Sequence, residues 1–318
     1  MRAQDLHELV RAEGLLGGAG GGPIVAMVSG GRDSVCLLDI AVAVRGPAAV
    51  RVLHVNYGLR GEDSDADERL VRELCARLGV AFELVRVRAD ERARAGERGN
   101  LQAWARELRY REAERLGCAL IATGHTASDQ VETILYRLAA SPGRRALLGM
   151  APREGRIVRP LLGITREQTA GYCRARGLAW REDASNDDSL YARARVRNRL
   201  VPALRSVHPA AQRSVLRTAQ LLRDEAELLN ALVESELAGR DAISTARLAE
   251  LHPALARLIV IRLAEDASGG YVPQAGLRVD EILALGARGG AGEVHVGGNV
   301  AARIEGGMLR MVALTPRR

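Results

Sequence analysis

The apolar run Ile24-Val25-Ala26-Met27-Val28 passes directly into Ser29-Gly30-Gly31-Arg32-Asp33-Ser34, and apolar residues resume at once with Val35-Cys36-Leu37-Leu38. That order predicts a buried strand, a tight glycine turn and a helix start, which leaves few folds open. Two glycines let backbone N–H groups approach an oxygen-rich ligand with no Cβ in the way. The new helix aims its unpaired N–H groups and the positive end of its dipole at the same point. Ser29 and Ser34 add hydroxyl donors, so the hexapeptide predicts a phosphate site. The plain alternative is an ordinary Gly-Gly turn with a helix cap.

The kind of phosphate site is narrowed by what is missing. The P-loop pattern G-x-x-x-x-G-K-[ST] needs a lysine, and the chain has none: all 46 basic residues are arginine. The dinucleotide fingerprint G-x-G-x-x-G does not follow this strand either. The absence of lysine is also what a G+C-rich genome would produce.

Strand and helix patterns alternate through the first two thirds of the chain. The apolar periodicity predicts strands at 24–28, 50–56, 82–88, 119–124 and 157–161, and helices at 33–44, 63–78, 100–116, 128–140 and 166–176. Such alternation predicts a parallel five-stranded sheet with helices on both faces, ligands sitting beyond the strand C-termini at the switch point. A short helical pattern over residues 1–16 precedes it, joined by the glycine-rich stretch 17–22. Past about residue 205 the strand signals stop. A long amphipathic helix is expected over 211–238, then helices at 246–266 and 276–286, and glycine pairs near 297 and 306 predict a terminal β hairpin. Two domains are therefore expected, 1–210 and a smaller, mainly helical one at 211–318. A chain of 318 residues has room for roughly two domains of ~150 residues each.

No apolar run approaches the ~18 residues of a membrane span, and the N-terminus lacks the apolar region of a signal peptide, so the expected location is cytoplasmic. Cys36, Cys75, Cys118 and Cys173 form no C-x-x-C pair and read as core thiols. A net charge of +7 favours a polyanionic partner such as RNA. With one Phe, two Trp and six Tyr, arginine contacts rather than aromatic stacking would have to carry the affinity.

Several further segments carry candidate site residues. His54-Val55-Asn56-Tyr57-Gly58-Leu59-Arg60 closes the second strand at the ligand-bearing edge, or is merely a strand end and turn. Asn100 is a candidate N-cap for a helix whose Arg106, Arg109 and Tyr110 share one face, either solvated or aimed at phosphates. Thr123-Gly124-His125 ends the fourth strand, and Asp129 and Glu132 on the next helix present two carboxylates to one face. These complement the helix dipole, hold a cationic substrate, or do both. His125 orients a substrate or simply hydrogen-bonds. Arg193, Arg195, Arg197 and Arg199 alternate over seven positions, a solvated face or a grip on a phosphate backbone.

Taken together these segments resemble the tRNA(Ile)-lysidine synthases of the ATP pyrophosphatase (PP-loop) family, over about residues 24–205. The resemblance rests on S-G-G-R-D-S, H-V-N-Y-G-L-R, the N…A-R-x-x-R-Y helix, G-H-T-A-S-D-Q-V-E-T, L-L-G-M at 147–150, R-P-L-L at 159–162, and D-A-S-N followed by R-A-R-V-R. The tail from about 293 looks like the family's small C-terminal module, and the chain looks like a short form without a longer extension. The family usually has His where Tyr57 stands, often His and Asp at Thr126 and Ser128, and commonly Asn at Ala194.

The resemblance implies a Rossmann-like sheet of the adenine nucleotide alpha hydrolase type. It also implies a ligase that joins free L-lysine to C2 of cytidine 34 in the CAU anticodon of tRNA(Ile), through an O-adenylated cytidine, releasing AMP and pyrophosphate. ATP would be held by Ser29, Gly30, Gly31, Arg32, Asp33, Ser34, His54 and Gly124, with Asp33 placing Mg²⁺ and Asp33 and Arg106 catalytic. Lysine would be held by Asp129 and Glu132, and tRNA by Arg109, Arg193, Arg195 and Arg197. The rivals are a tRNA thiolase on the same fold, a small-molecule ligase of the NAD or GMP synthetase type, and a non-catalytic nucleotide-binding regulator. The oligomeric state stays open, a homodimer included.

Overall fold

The computed structural model describes residues 3–17, 22–97, 101–140, 144–182, 192–288 and 291–314. Asn100 and the D-A-S-N segment at 183–186 lie outside them. The chain divides into two compact units, Met1–Gln220 and Leu221–Arg318, so the division falls inside a long helix rather than near 210.

The first unit opens with α1 (Ala3–Ala12), β1 (Ile24–Met27), α2 (Arg32–Arg45), β2 (Val50–Asn56), α3 (Glu62–Leu78) and β3 (Ala81–Arg86). There follow α4 (Ala89–Glu97), α5 (Leu101–Arg115), β4 (Leu120–Thr123), α6 (Ala127–Ala140) and α7 (Arg144–Leu148). Then come β5 (Arg153–Glu154), β6 (Ile157–Val158), α8 (Arg166–Ala175), α9 (Ala192–Arg195), a π turn at Val196–Leu200, and α10 (Val201–Val207). The long helix α11 (Ala211–Leu237) begins in this unit.

The sheet has the order β3-β2-β1-β4-β6-β5. Five strands run parallel, as expected, but a sixth is added: β5 pairs antiparallel with β6 at the edge. β6 falls within the strand expected at 157–161, but β5 has only two residues, too short for alternation to announce it. Strand order reverses between β1 and β4, so the switch point lies between their C-terminal ends.

Alternation along the strands feeds two cores. Ile24, Ala26 and Val28 join Val52, Leu120 and Ala122 in a cluster with Leu37, Leu38, Val71 and Leu161. Val25 and Met27 join Leu53, Ile121 and Ala113 on the other face. Each fully buried Leu or Ile contributes roughly 2 kcal/mol of apolar transfer free energy, so the strands that carry the site are held from both sides. Cys36, Cys75, Cys118 and Cys173 are free and buried, as core thiols.

The second unit holds the rest of α11, then β7 (Ala242–Ser244), α12 (Thr245–Glu250), α13 (Pro253–Ser268), a 3-10 turn at Pro273–Arg278 and α14 (Val279–Ala287). It ends with β8 (Gly292–Gly297), β9 (Val300–Glu305) and β10 (Met308–Ala313). The helix expected over 246–266 is two helices. Pro253 opens α13, and its ring and missing N–H forbid a continuous helix through His252. The expected terminal hairpin is part of a larger antiparallel sheet, β7-β10-β9-β8, in which three-residue β7 pairs with β10. Ile259, Val260, Ile282, Ile304 and Leu309 form its core.

Candidate active site

A cleft of about 610 Å³ opens over the C-terminal ends of β1, β2 and β4. Its first wall is the hexapeptide. Gly30 takes φ +94°, a left-handed value, and a Cβ there would lie 3.3 Å from Asp67 Cβ. Gly31 precedes the first turn of α2 with no side-chain cap of its own. Ser34 Oγ donates to the Gly31 carbonyl at 2.8 Å and accepts from the Ser29 N–H at 3.1 Å, which folds the loop onto the helix end. Gly124 lets β4 approach that end closely, since a Cβ would meet the Asp33 backbone at 3.1 Å. The loop is strapped from outside. The Arg181 N–H donates to the Gly30 carbonyl at 3.0 Å, and the Arg181 guanidinium pairs with Asp67 at 2.8 Å.

The second wall is acidic. Asp129 stands three residues after Thr126, and the two form a reciprocal cap at the start of α6. The Thr126 N–H donates to Asp129 Oδ2 at 2.8 Å, and the Asp129 N–H donates to Thr126 Oγ1 at 3.4 Å. Glu132, one turn on, is buried. Opposite them, α8 begins with a capping box: Thr165 Oγ1 accepts from the Gln168 N–H, and the Gln168 side chain accepts from the Thr165 N–H. The box fixes Arg166 as the first helical residue. Its guanidinium donates to Asp129 Oδ1 and, at 2.7 Å, to Glu132 Oε1, and its Nε stands 3.6 Å from Asp33 Oδ2. Arg197 donates to both Glu132 oxygens at 2.9 and 3.0 Å, and Asp33 also receives the Thr169 hydroxyl and Arg32 Nε. Burial by itself lowers the Arg166 pKa, and the Asp129, Glu132 and Asp33 carboxylates more than reverse it.

His125 lines the cleft and shares a 2.7 Å hydrogen bond with Thr123 Oγ1. Burial holds its pKa down at about 4, against the opposing pull of Asp129, so the ring is neutral at pH 7 and serves as a hydrogen-bonding group. His54 does not reach the cleft surface. It is buried, with Nδ1 2.8 Å from the Val28 carbonyl, which makes Nδ1 the protonated nitrogen and His54 a prop behind the loop.

Arg106, expected to be catalytic, and the arginines expected to hold tRNA are placed differently from one another. Arg106 is exposed, its guanidinium 4.8 Å from the Tyr110 ring centre. Arg109 and Tyr110 line the cleft, and Arg109 Nε and the Tyr110 hydroxyl are buried without a hydrogen-bond partner among the described residues. Ala194 and Val196 are buried, which leaves Arg193, Arg195 and Arg199 exposed and turns Arg197 inward.

Other motif residues build the scaffold. Asn56 donates to Asp65 and Glu68, Tyr57 donates to the Ala105 carbonyl, and Gln130 clasps the Met150 backbone through both its amide atoms. The Arg86 guanidinium, ahead of Asn56 and Arg72, holds Glu68 down at about 2 against the effect of burial. Buried Arg159 donates to the Ala151 carbonyl and to Glu154. Sequence reading missed Arg166, Thr169, Asp67 and Arg181 because each gains its meaning from a partner far along the chain. The threonine and glutamine of the α8 capping box were the one local signal that could have placed Arg166 at a helix start.

An anion cradle and a cation-seeking acid cluster thus share one cleft, beside an apolar patch of Met27, Leu53 and Val55 suited to a flat base. At the switch point of a doubly wound sheet, this defines an α/β domain of the nucleotide-binding class, with a glycine-serine loop and a helix N-terminus suited to phosphates. The family model described as a PP-loop domain matches residues 6–204, and the chain belongs to that family.

The chain is 33% identical to a tRNA(Ile)-lysidine synthase of Dehalococcoides mccartyi, covering 89% of this chain and 64% of that protein. It is 40% identical to the tRNA(Ile)-lysidine synthase of Thermus thermophilus, over 93% of this chain and 58% of that one. It therefore spans less than two thirds of the length of these curated relatives. Among solved structures, the U34-tRNA thiolase NcsA from Methanococcus maripaludis superposes with a TM-score of 0.55 at 17% identity, covering 69% of this chain and 79% of that one, which shows a shared fold. No described helix is long and apolar enough to cross a membrane.

Proposed function

We propose that the chain is a tRNA(Ile)-lysidine synthase. In this reading it uses ATP to adenylate the C2 oxygen of cytidine 34 in a CAU anticodon, then lets the ε-amine of free L-lysine displace AMP. The observation that carries the reading is Asp129, which lines the same cleft as the phosphate loop, with buried Glu132 one turn on and joined to it through Arg166. A site for an oligophosphate beside a site for an ammonium is what joining an amine to an adenylated base requires.

The roles follow from position. Ser29, Gly31, Ser34 and the first turn of α2 receive the phosphates, where preorganised donors stabilise the charge that passes to pyrophosphate. Arg109 and Tyr110, with polar atoms otherwise unsatisfied, complete the phosphate side. Asp129 and Glu132 orient the lysine ammonium. Mg²⁺ commonly binds through one or two carboxylates and the substrate's own phosphates, and Asp33 in the loop supplies one such carboxylate. The metal would neutralise phosphate charge. Exposed Arg193 and Arg195 fit contacts to tRNA phosphates. The cytoplasm is the matching location.

The test is incorporation of radiolabelled lysine into a tRNA(Ile) transcript with a CAU anticodon, given ATP and Mg²⁺, beside the same transcript carrying U34. Label in the C34 transcript alone supports the reading. AMP formation without label overturns lysine as the nucleophile, and neither product overturns the enzyme.

A further inference from the structure

Every carboxylate on the acidic wall is already ion-paired. Asp33 faces Arg32 at 3.3 Å and Arg166 at 3.6 Å, Asp129 holds Arg166, and Glu132 holds both Arg166 and Arg197. An incoming ammonium therefore finds its seat filled and has to displace a guanidinium. Arg197 is the poorer candidate to leave. It grips Glu132 through two hydrogen bonds, and its neighbour Val196 is locked against Val131 and Val201.

Arg166 is differently placed. Its side chain is spread over three carboxylates, one of which, Asp33, belongs to the phosphate loop itself. It also occupies the first position of α8, where the positive helix end disfavours a cation. The carboxylates alone hold it there. An oligophosphate seated on the loop brings further negative charge to the side from which Arg166 Nε already reaches Asp33.

We propose that Arg166 is a charge shuttle: without nucleotide it fills the ammonium seat on Asp129 and Glu132, and the phosphates of bound nucleotide draw it away and open that seat. This rests on the reading that Asp129 and Glu132 receive lysine. Nucleotide and amine then bind cooperatively, although both are governed by one cation that touches neither the base nor the reacting amine. The cooperativity is reciprocal by linkage.

The experiment is equilibrium binding of radiolabelled L-lysine to the full chain, with and without α,β-methylene-ATP and Mg²⁺, and the converse titration. The expected result is that the analogue tightens lysine binding by about tenfold, within the usual range of coupling between sites, and that lysine tightens the analogue by the same factor. Arg166→Met should bind lysine without nucleotide as tightly as the wild type does with it, and its coupling factor should fall to about one. Arg166→Lys, which keeps a cation at that position, should retain coupling, and a thermal melt of each variant reports whether it is folded. Wild-type lysine affinity that ignores the analogue overturns the shuttle with no variant needed, as does undiminished coupling in folded Arg166→Met. Failure of the wild type to bind lysine in either condition overturns the reading of the site, and the shuttle falls with it.

Discussion

Gly30 and Gly31 are neighbours in the loop but answer to different constraints. Gly30 sits at φ +94° with Asp67 against its missing Cβ, whereas Gly31 lies at φ −73° with Ser29 Oγ at 3.4 Å and the Arg181 carbonyl at 4.0 Å, both ordinary contacts. Gly30→Ala combines a backbone penalty of about 1–2 kcal/mol with a push against Asp67 and its Arg181 strap. Urea unfolding should register that loss, and nucleotide binding should weaken by more than tenfold. Gly31→Ala should unfold close to the wild-type midpoint, because its conformation is open to any residue. Equal destabilisation of both variants would show that φ does not distinguish them. The S-G-G-R-D-S pattern announced that glycine was needed here, but only the fold reveals which glycine meets Asp67.

Helix starts position the acid cluster. Thr126 with Asp129 caps α6, and Thr165 with Gln168 caps α8, so both carboxylate and guanidinium emerge from first turns whose geometry is fixed by side chains. Thr165→Ala removes one partner of a capping box and should cost about 1 kcal/mol. Because Arg166 follows directly, its effect on the lysine KM should exceed its effect on the ATP KM, a split that steady-state kinetics can read. The helix after α8 makes a separate prediction. Replacing Arg193 and Arg195 with Ala should lower the salt slope of tRNA binding by about 1 for each phosphate that is no longer neutralised. Arg197→Ala should instead disturb lysine binding, since that side chain faces Glu132. Elements with local signatures, such as β1, α2 and α6, were legible in the sequence. The edge strand β5 and β7 were not, because two or three residues give no period, and the inward turn of Arg197 depends on Val196 finding the core.

Two histidines kept neutral inside the first unit make its stability depend on pH. Burial lowers the pKa of His54, and that of His125 to about 4, below the ordinary 6.5. The unfolded chain takes up protons below 6.5 that the folded chain refuses, so stability falls as pH drops from 6.5 towards 4. His125 alone withdraws roughly 2 kcal/mol between pH 7 and pH 5. Denaturant midpoints measured across that range should fall, and His125→Gln should flatten the decline. A midpoint that rises on acidification would contradict the buried, neutral state. Composition and charge pointed to a nucleic-acid partner and a two-part chain, but how charge is shared inside the cleft was invisible, because it depends on ion pairs between α2, α6 and α8.

The cations of the cleft are all guanidiniums: Arg32, Arg60, Arg109, Arg166, Arg181 and Arg197. A guanidinium stays protonated at any physiological pH and offers no free lone pair. An activated base formed among these side chains would therefore meet strong electrostatic support but no protein amine able to attack it. On the proposed function, the wall would be inert to the intermediate it supports, and self-modification at these positions would be closed off by the choice of residue alone.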